Sequence, residues 1–190
     1  MAQAALVEPR YTVERYFELV ESGVLHPDDR VELLEGVIVA MLPQNPRHAS
    51  ATRRTYNALR NIVGERAVVS LQLPLVLGAF SALEPDVAVV PGKASDYDTA
   101  HPTKALLVVE VADSSLLQDR LTKAAIYAAA DIAEYWLINL RDDCIEVFRK
   151  PDSTVPCYAE QRKLCRGEQL DLVGFSGAAL NVSDLLPGSS

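Results

Sequence analysis

Four side chains in the middle of the chain have the types and spacing for chemistry: Asp86 and Glu110, each at an end of a valine-rich run, and then Asp119 and Lys123. The first run reads Glu84-Pro-Asp86-Val-Ala-Val-Val and the second Leu106-Leu-Val-Val-Glu110-Val-Ala. Short apolar runs bounded by turn residues read as buried strands. Joined by residues 91 to 104 as an antiparallel hairpin, they set Asp86 at the start of one strand beside Glu110 near the finish of the other. Neighbouring strands lie about 5 Å apart, so the two carboxylates can share one divalent cation. Two acids followed by a helix that carries a lysine are the minimum set for metal-assisted phosphodiester hydrolysis. A plainer reading stands beside this one: Asp after Pro is a common turn residue, and a strand-end Glu is often only solvated.

The elements that must position these groups follow from periodicity. Ser114 or Ser115 can cap a helix over residues 116 to 130, with Leu117, Leu121, Ala124 and Ala128 as its apolar stripe. Asp119, Lys123 and Tyr127 recur on the neighbouring side, where the alternative to chemistry is an ordinary acid-before-lysine pair on a wet helix. At 1.5 Å per residue, Lys123 falls about 10 Å down that helix from Leu116, a long reach to the acids. Tyr135 to Asn139 reads as the next strand, and strand, helix, strand makes it parallel to the Glu110 strand. Two further strands, residues 144 to 149 and 158 to 165, and a last one at 170 to 173 complete the sheet.

Upstream, Val13, Tyr16, Phe17 and Val20 mark a helical face with Thr12 as N-cap and Gly23 as stop. Val31 to Leu34 and Val37 to Met41 flank Glu35-Gly36 as a hairpin. On pattern alone, Glu32 reads as an edge-strand acid facing water. Residues 49 to 63 read as a helix, and residues 68 to 77, interrupted by Pro74, as a strand. In or beside the helix lie Arg47, Arg53, Arg54, Arg60 and Arg66, with Glu65 the single acid. That local reversal of sign reads either as a phosphate-facing surface or as a solvated face. His48 can cap this helix or approach the acids.

A length of 190 residues, 49% hydrophobic and 23% charged, suits one globular domain with loose ends at residues 1 to 10 and 187 to 190. A formal net charge of −8 supplies no global attraction to nucleic acid. Three cysteines without close paired spacing fit reduced thiols in a cytoplasmic protein. No apolar run approaches the roughly 20 residues needed to cross a bilayer, so no membrane partner is expected.

Taken in order, Glu32-Leu-Leu-Glu-Gly, Pro85-Asp86-Val, Val109-Glu110-Val with Ser115, then Asp119, Lys123 and Tyr127, then Glu134-Tyr-Trp resemble the Uma-two family of restriction-endonuclease-like proteins. The likeness runs from about Tyr11 to Leu186. It implies the fold of the PD-(D/E)xK nuclease superfamily, a mixed α/β (α+β) domain whose central mixed sheet includes an antiparallel meander and is flanked by helices. By that resemblance Asp86 and Glu110 are the metal-binding acids. Lys123 is the motif lysine moved onto the following helix, since Ala112 occupies its usual place, and Glu32 is a further acid of the site. Asp113 stands where the family usually has Ser, and Asp131 where it usually has Gly.

The activity implied is Mg²⁺-dependent cleavage of DNA, with Mn²⁺ able to substitute. Arg47, Arg53, Arg54 and Arg60 would contact phosphates, and a homodimer would cut both strands. Two rivals remain: a self-associating scaffold that keeps the fold without catalysis, and a nuclease acting on RNA.

Overall fold

The computed structural model describes residues 10–188 except residue 176. Helix α1 (Val13–Glu21) starts where Thr12 Oγ1 accepts the Arg15 N–H at 3.2 Å, as the capping pattern predicts. Strands β1 (Val31–Leu34) and β2 (Val37–Ala40) form the expected hairpin. Its two-residue turn puts Glu35 and Gly36 at φ 47° and 85°, the doubly positive geometry of a type I′ turn. Helix α2 (Pro46–Val63) begins three residues earlier than the periodicity suggests, because Asn45 caps it by accepting the His48 N–H and Pro46 opens the first turn.

Residues 68 to 77 do not make one strand. Val68–Leu71 (β3) and Leu75–Leu77 (β4) belong to different sheets, parted where Gln72 takes φ 50° ahead of Pro74. Next come β5 (Ser81–Leu83), β6 (Val87–Val90) and β7 (Leu107–Ala112). A π-helical segment (Gln118–Lys123) then runs into α3 (Ala124–Ala129) and β8 (Glu134–Asn139). The chain closes with β9 (Cys144–Asp152), β10 (Cys157–Cys165), β11 (Gln169–Asp171), β12 (Ala179–Asn181) and α4 (Val182–Leu185). Residues 170 to 173 do not finish the main sheet: Gln169–Asp171 pairs with β12 as a separate two-stranded ribbon. Nor is Pro187 frayed, since it is buried and its carbonyl accepts from Arg166. Of the expected loose ends, residues 1–9 and 189–190 lie outside the described residues.

The main sheet has six strands in the order β10-β9-β8-β7-β6-β3, and a second has four in the order β2-β1-β5-β4. In the main sheet only β7 and β8 run parallel, as the crossover requires; the remaining pairs are antiparallel. Its central strands are buried on both faces, which is why they read as continuous apolar runs. Val87, Val89, Val109, Val111, Trp136 and Ile138 pack toward α2 and α4. Ala88, Val108, Ala112, Tyr135 and Leu137 pack on the other face with α3 and β4. By the two-residue alternation of a strand, Asp86 and Glu110 share this second face, where the sheets meet. No helix among the described residues is long and apolar enough to cross a membrane.

Candidate active site

Because Val87 lies opposite Val109 in the β6–β7 pair, Asp86, one residue before β6, comes level with Glu110, as the hairpin reading requires. Glu32 arrives from the other sheet. It does not face water: β1 is an interior strand between β2 and β5, so its inward side chains are covered. The lysine comes from the π segment. Glu32, Asp86, Glu110, Asp119 and Lys123 are each between 3% and 6% exposed.

The Lys123 ammonium lies 3.0 Å from Glu110 Oε1, 3.0 Å from Glu32 Oε1 and 3.8 Å from Asp119 Oδ1. The segment is π-helical rather than a regular α-helix, and Asp119 and Lys123, four residues apart, lie on one wall. The placement closes the gap of about 10 Å expected from position along the helix. It also inverts the predicted faces. Leu117 and Leu121 of the supposed apolar stripe are 70% and 64% exposed, while Asp119, Lys123 and Tyr127 turn inward with Ala124 and Ala128. Charge pairing at the acids, rather than hydrophobicity, decides which side the segment buries.

Each acid is held differently. Glu110 Oε1 also accepts from the Tyr127 hydroxyl at 2.6 Å. Asp86 Oδ2 accepts the Val111 N–H at 2.9 Å and lies 3.2 Å from His48 Nε2, while Oδ1 accepts from Gln72 at 3.0 Å and Gln44 at 3.5 Å. The contact at Val111 is thus made through its N–H. Asp119 Oδ2 accepts from Ser115 Oγ at 2.5 Å. Asp113 accepts from the Asn45 amide at 2.7 Å, which ties the start of α2 to the end of β7. Asp131 takes φ 57°, a turn conformation that aspartate tolerates in place of glycine.

The electrostatics follow from three carboxylates around one ammonium, with Asp86 beside them. Burial pushes the Glu110 carboxyl up to about 8; Lys123 opposes that rise, and Asp119, Asp86 and Glu32 reinforce it. Burial likewise raises Asp119. For Lys123 burial works against the charge, but Glu110, Glu32 and Asp119 outweigh it and keep the ammonium protonated above its ordinary range. The pocket is therefore short of positive charge.

A divalent cation fits that shortage. The donors are hard carboxylate oxygens, the type Mg²⁺ prefers, and Glu32 Oε2 is buried with no hydrogen-bond partner. Among the described residues no three acid, His or Cys side chains form a ready-made cage. The cavity beside these groups holds about 70 Å³, room for several waters.

The arginines of α2 stand apart from this cavity. None of Arg47, Arg53, Arg54 or Arg60 lines it. Arg47 lies 3.8 Å from Asp143, and Arg54 donates to the Asp184 carbonyl at 3.4 Å. Arg53 and Arg60 are exposed and form no ion pair among the described residues. The sequence reading left out Arg30, Gln44, Gln72 and Glu84. Gln44 and Gln72 hold Asp86, and Arg30 and Glu84 line the cavity. Local spacing carries no signal for Arg30, Gln44 and Gln72, which arrive from the neighbourhoods of β1, α2 and β4, whereas Glu84 sits two residues before Asp86 in the same turn.

The fold is that of the restriction-endonuclease-like nucleases. A solved structure described as a putative nuclease belonging to DUF820 from Anabaena variabilis superposes with a TM-score of 0.72 at 17% identity, covering 92% of this chain and 96% of its own. The type IIG restriction endonuclease BpuSI is more distant, with a TM-score of 0.42 and 20% identity over 80% of this chain and 17% of BpuSI, too loose a superposition to inform function. Comparison with curated protein sequences finds no match. Residues 13–183 match the family model described as "Uma2: Putative restriction endonuclease", and the chain belongs to that family.

Proposed function

We propose that this protein is a divalent-metal-dependent endonuclease that hydrolyses phosphodiester bonds in DNA. The observation that carries the reading is the buried meeting of Lys123 with Glu110 and Glu32, beside Asp86, on the wall of one polar cavity. A protein without a use for the site has little reason to crowd three acids around one ammonium with a fourth beside them, because unpaired buried charge is costly.

Asp86 and Glu110 would hold the cation, Mg²⁺ or Mn²⁺ in its place, with Glu32 close behind. When bound, the ion supplies Lewis-acid polarisation of the phosphoryl oxygen and lowers the pKa of a coordinated water. The protein's own groups do the rest. Lys123 stays protonated and presents positive charge where the phosphate gains negative charge. Tyr127 orients Glu110 by donating to Oε1, and Gln72, Gln44 and the Val111 N–H fix the plane of Asp86. Arg53 and Arg60, nearly in line on α2 at 100° per residue, together with Arg47 and Arg54 would meet backbone phosphates, which gives affinity without sequence choice. A symmetric second copy would be needed to cut both strands.

The rival is a non-catalytic, self-associating protein of the same fold. It is favoured by the net charge of −8 and by the four protein donors around Asp86. Incubating supercoiled plasmid with Mg²⁺ or Mn²⁺ decides between them. The endonuclease nicks, and Asp86→Asn and Glu110→Gln do not; a parent that neither nicks nor binds either ion by calorimetry is the scaffold. Cleavage of RNA but not plasmid moves the substrate to RNA.

A further inference from the structure

Beside the acid cavity lies a larger hollow of about 620 Å³, between α1 and the four-stranded sheet. Arg30, Met41 and Glu84 line both spaces, and Gln72, whose amide holds Asp86, lines the second. The two are adjoining parts of one cleft.

Their linings differ in kind. Where the first is crowded with acids, the second has Tyr16 and Ala82 buried at its base, and at its side Phe17 stacked on the exposed ring of His101. Those two rings lie 5.1 Å apart with 22° between their planes. The charged groups are mixed in sign, with Arg30 set against Asp28 and Glu84. Burial, followed by repulsion from Glu32, raises the Glu84 carboxyl. Arg30 stands at the junction in a left-handed backbone conformation, φ 46°, which a non-glycine residue keeps only where its surroundings fix it.

The volume is that of a small-molecule pocket. A lining without a dominant charge suits an uncharged guest, and a pair of parallel rings at the side suits a flat one. A flat, uncharged group joined to a phosphate in the neighbouring cavity has the chemistry of a nucleobase. We propose that this hollow is a nucleobase subsite, which receives one unpaired base next to the phosphate held in the acid cavity. The Phe17–His101 pair is its stacking surface, and Arg30 reaches the phosphate between the two spaces. A base stacked and paired inside a duplex cannot enter such a pocket unless it is flipped out. The site therefore selects single-stranded or locally unpaired DNA. This rests on the endonuclease reading of the acid cavity.

The test mixes full-length protein and Mg²⁺ in a stopped-flow instrument with an oligothymidine strand carrying one 2-aminopurine, and separately with the same strand paired in a duplex. Stacking quenches the probe, so the single strand shows a quench before cleavage and binds about tenfold more tightly than the duplex. His101→Ala, a change to an exposed loop ring, and Phe17→Leu, which keeps the apolar packing of α1, each remove most of the quench. Equal binding of strand and duplex, or a quench unchanged in both variants, overturns the subsite. Cleavage of the same single strand, run in parallel with plasmid nicking, separates the two readings. Nicking without quench overturns the subsite alone. Quench without any cleavage supports the subsite and overturns the hydrolase. Neither signal overturns both.

Discussion

Two buried glutamates lie in one row across the main sheet, flanking Leu137: Glu110 on β7 and Glu146 on β9. They are 4% and 3% exposed, yet their surroundings treat them in opposite ways. Glu146 accepts from Arg120 Nε at 2.8 Å and Nη2 at 2.5 Å, from Asn139 at 2.9 Å and from Gln161 at 3.4 Å. Burial would raise its pKa, but the hydrogen bonds from Arg120 and Asn139 prevail and hold it below the ordinary carboxylate value. Glu110 shares a single lysine with Glu32 and Asp119, and burial leaves it well above that value. Glu134 resembles Glu146: fully buried, it takes two donors from Arg149 and the Val173 N–H. A carboxylate that only stabilises a fold is given a fork-shaped partner of its own. One left short of positive charge is a candidate functional group.

The contrast can be broken most directly at the ammonium. Lys123→Met should lower nicking by about 10²- to 10³-fold, and, by leaving buried acids without a cation, should destabilise the metal-free protein by about 3–5 kcal/mol in urea titrations. Survival of both activity and stability would make Lys123 a bystander.

Glutamine exchanges at the two row positions come next. Glu146→Gln should cost about 1–3 kcal/mol, because Arg120 loses its charged acceptor, while nicking persists. Glu110→Gln should abolish nicking and leave the fold at least as stable as the parent at pH 8, since it removes a carboxylate that burial disfavours. Equal destabilisation by both exchanges would erase the distinction.

A smaller effect appears in the pH dependence of stability. Glu110 holds its proton more tightly folded than unfolded, so its contribution is fully present below the ordinary value of 4.5 and is lost as pH rises through about 8. Melting temperatures of metal-free protein should therefore carry a downward component across that window, absent in Glu110→Gln and reduced by saturating Mg²⁺. Glu146 works with the opposite sign, contributing above the ordinary carboxylate range and losing that contribution as pH falls. The smallest change is expected from Leu121→Gln on the outer side of the π segment, where thermal melts should move by no more than about 0.5 kcal/mol.

Much of the site was legible because it is local. The Asp86–Glu110 hairpin spans 25 positions and shows in two valine runs; the parallel β7–β8 crossover follows from strand, helix, strand. The burial of Glu32 was not legible, since it depends on β1 pairing with β5, Leu33 opposite Ala82, almost 50 positions away. The holders of Asp86 were hidden for the same reason. The reach of Lys123 was not legible because distance along one helix says nothing of where the Glu32 and Glu110 strands pass beside it. Family resemblance named the lysine as a candidate, but only the geometry shows how its ammonium arrives. The division of residues 68 to 77 between two sheets turns on the backbone at Gln72, which composition does not announce.

The wide turn at Gln118–Lys123 has a consequence for the chain's tolerance of change. A π turn holds one residue more than an α turn, so removing one between Asp119 and Lys123, such as Thr122, lets the stretch close to ordinary α spacing with the two side chains three positions apart and still on one side. A single-codon deletion there is thus a milder lesion than loss of the lysine itself, because the turn carries a residue to spare.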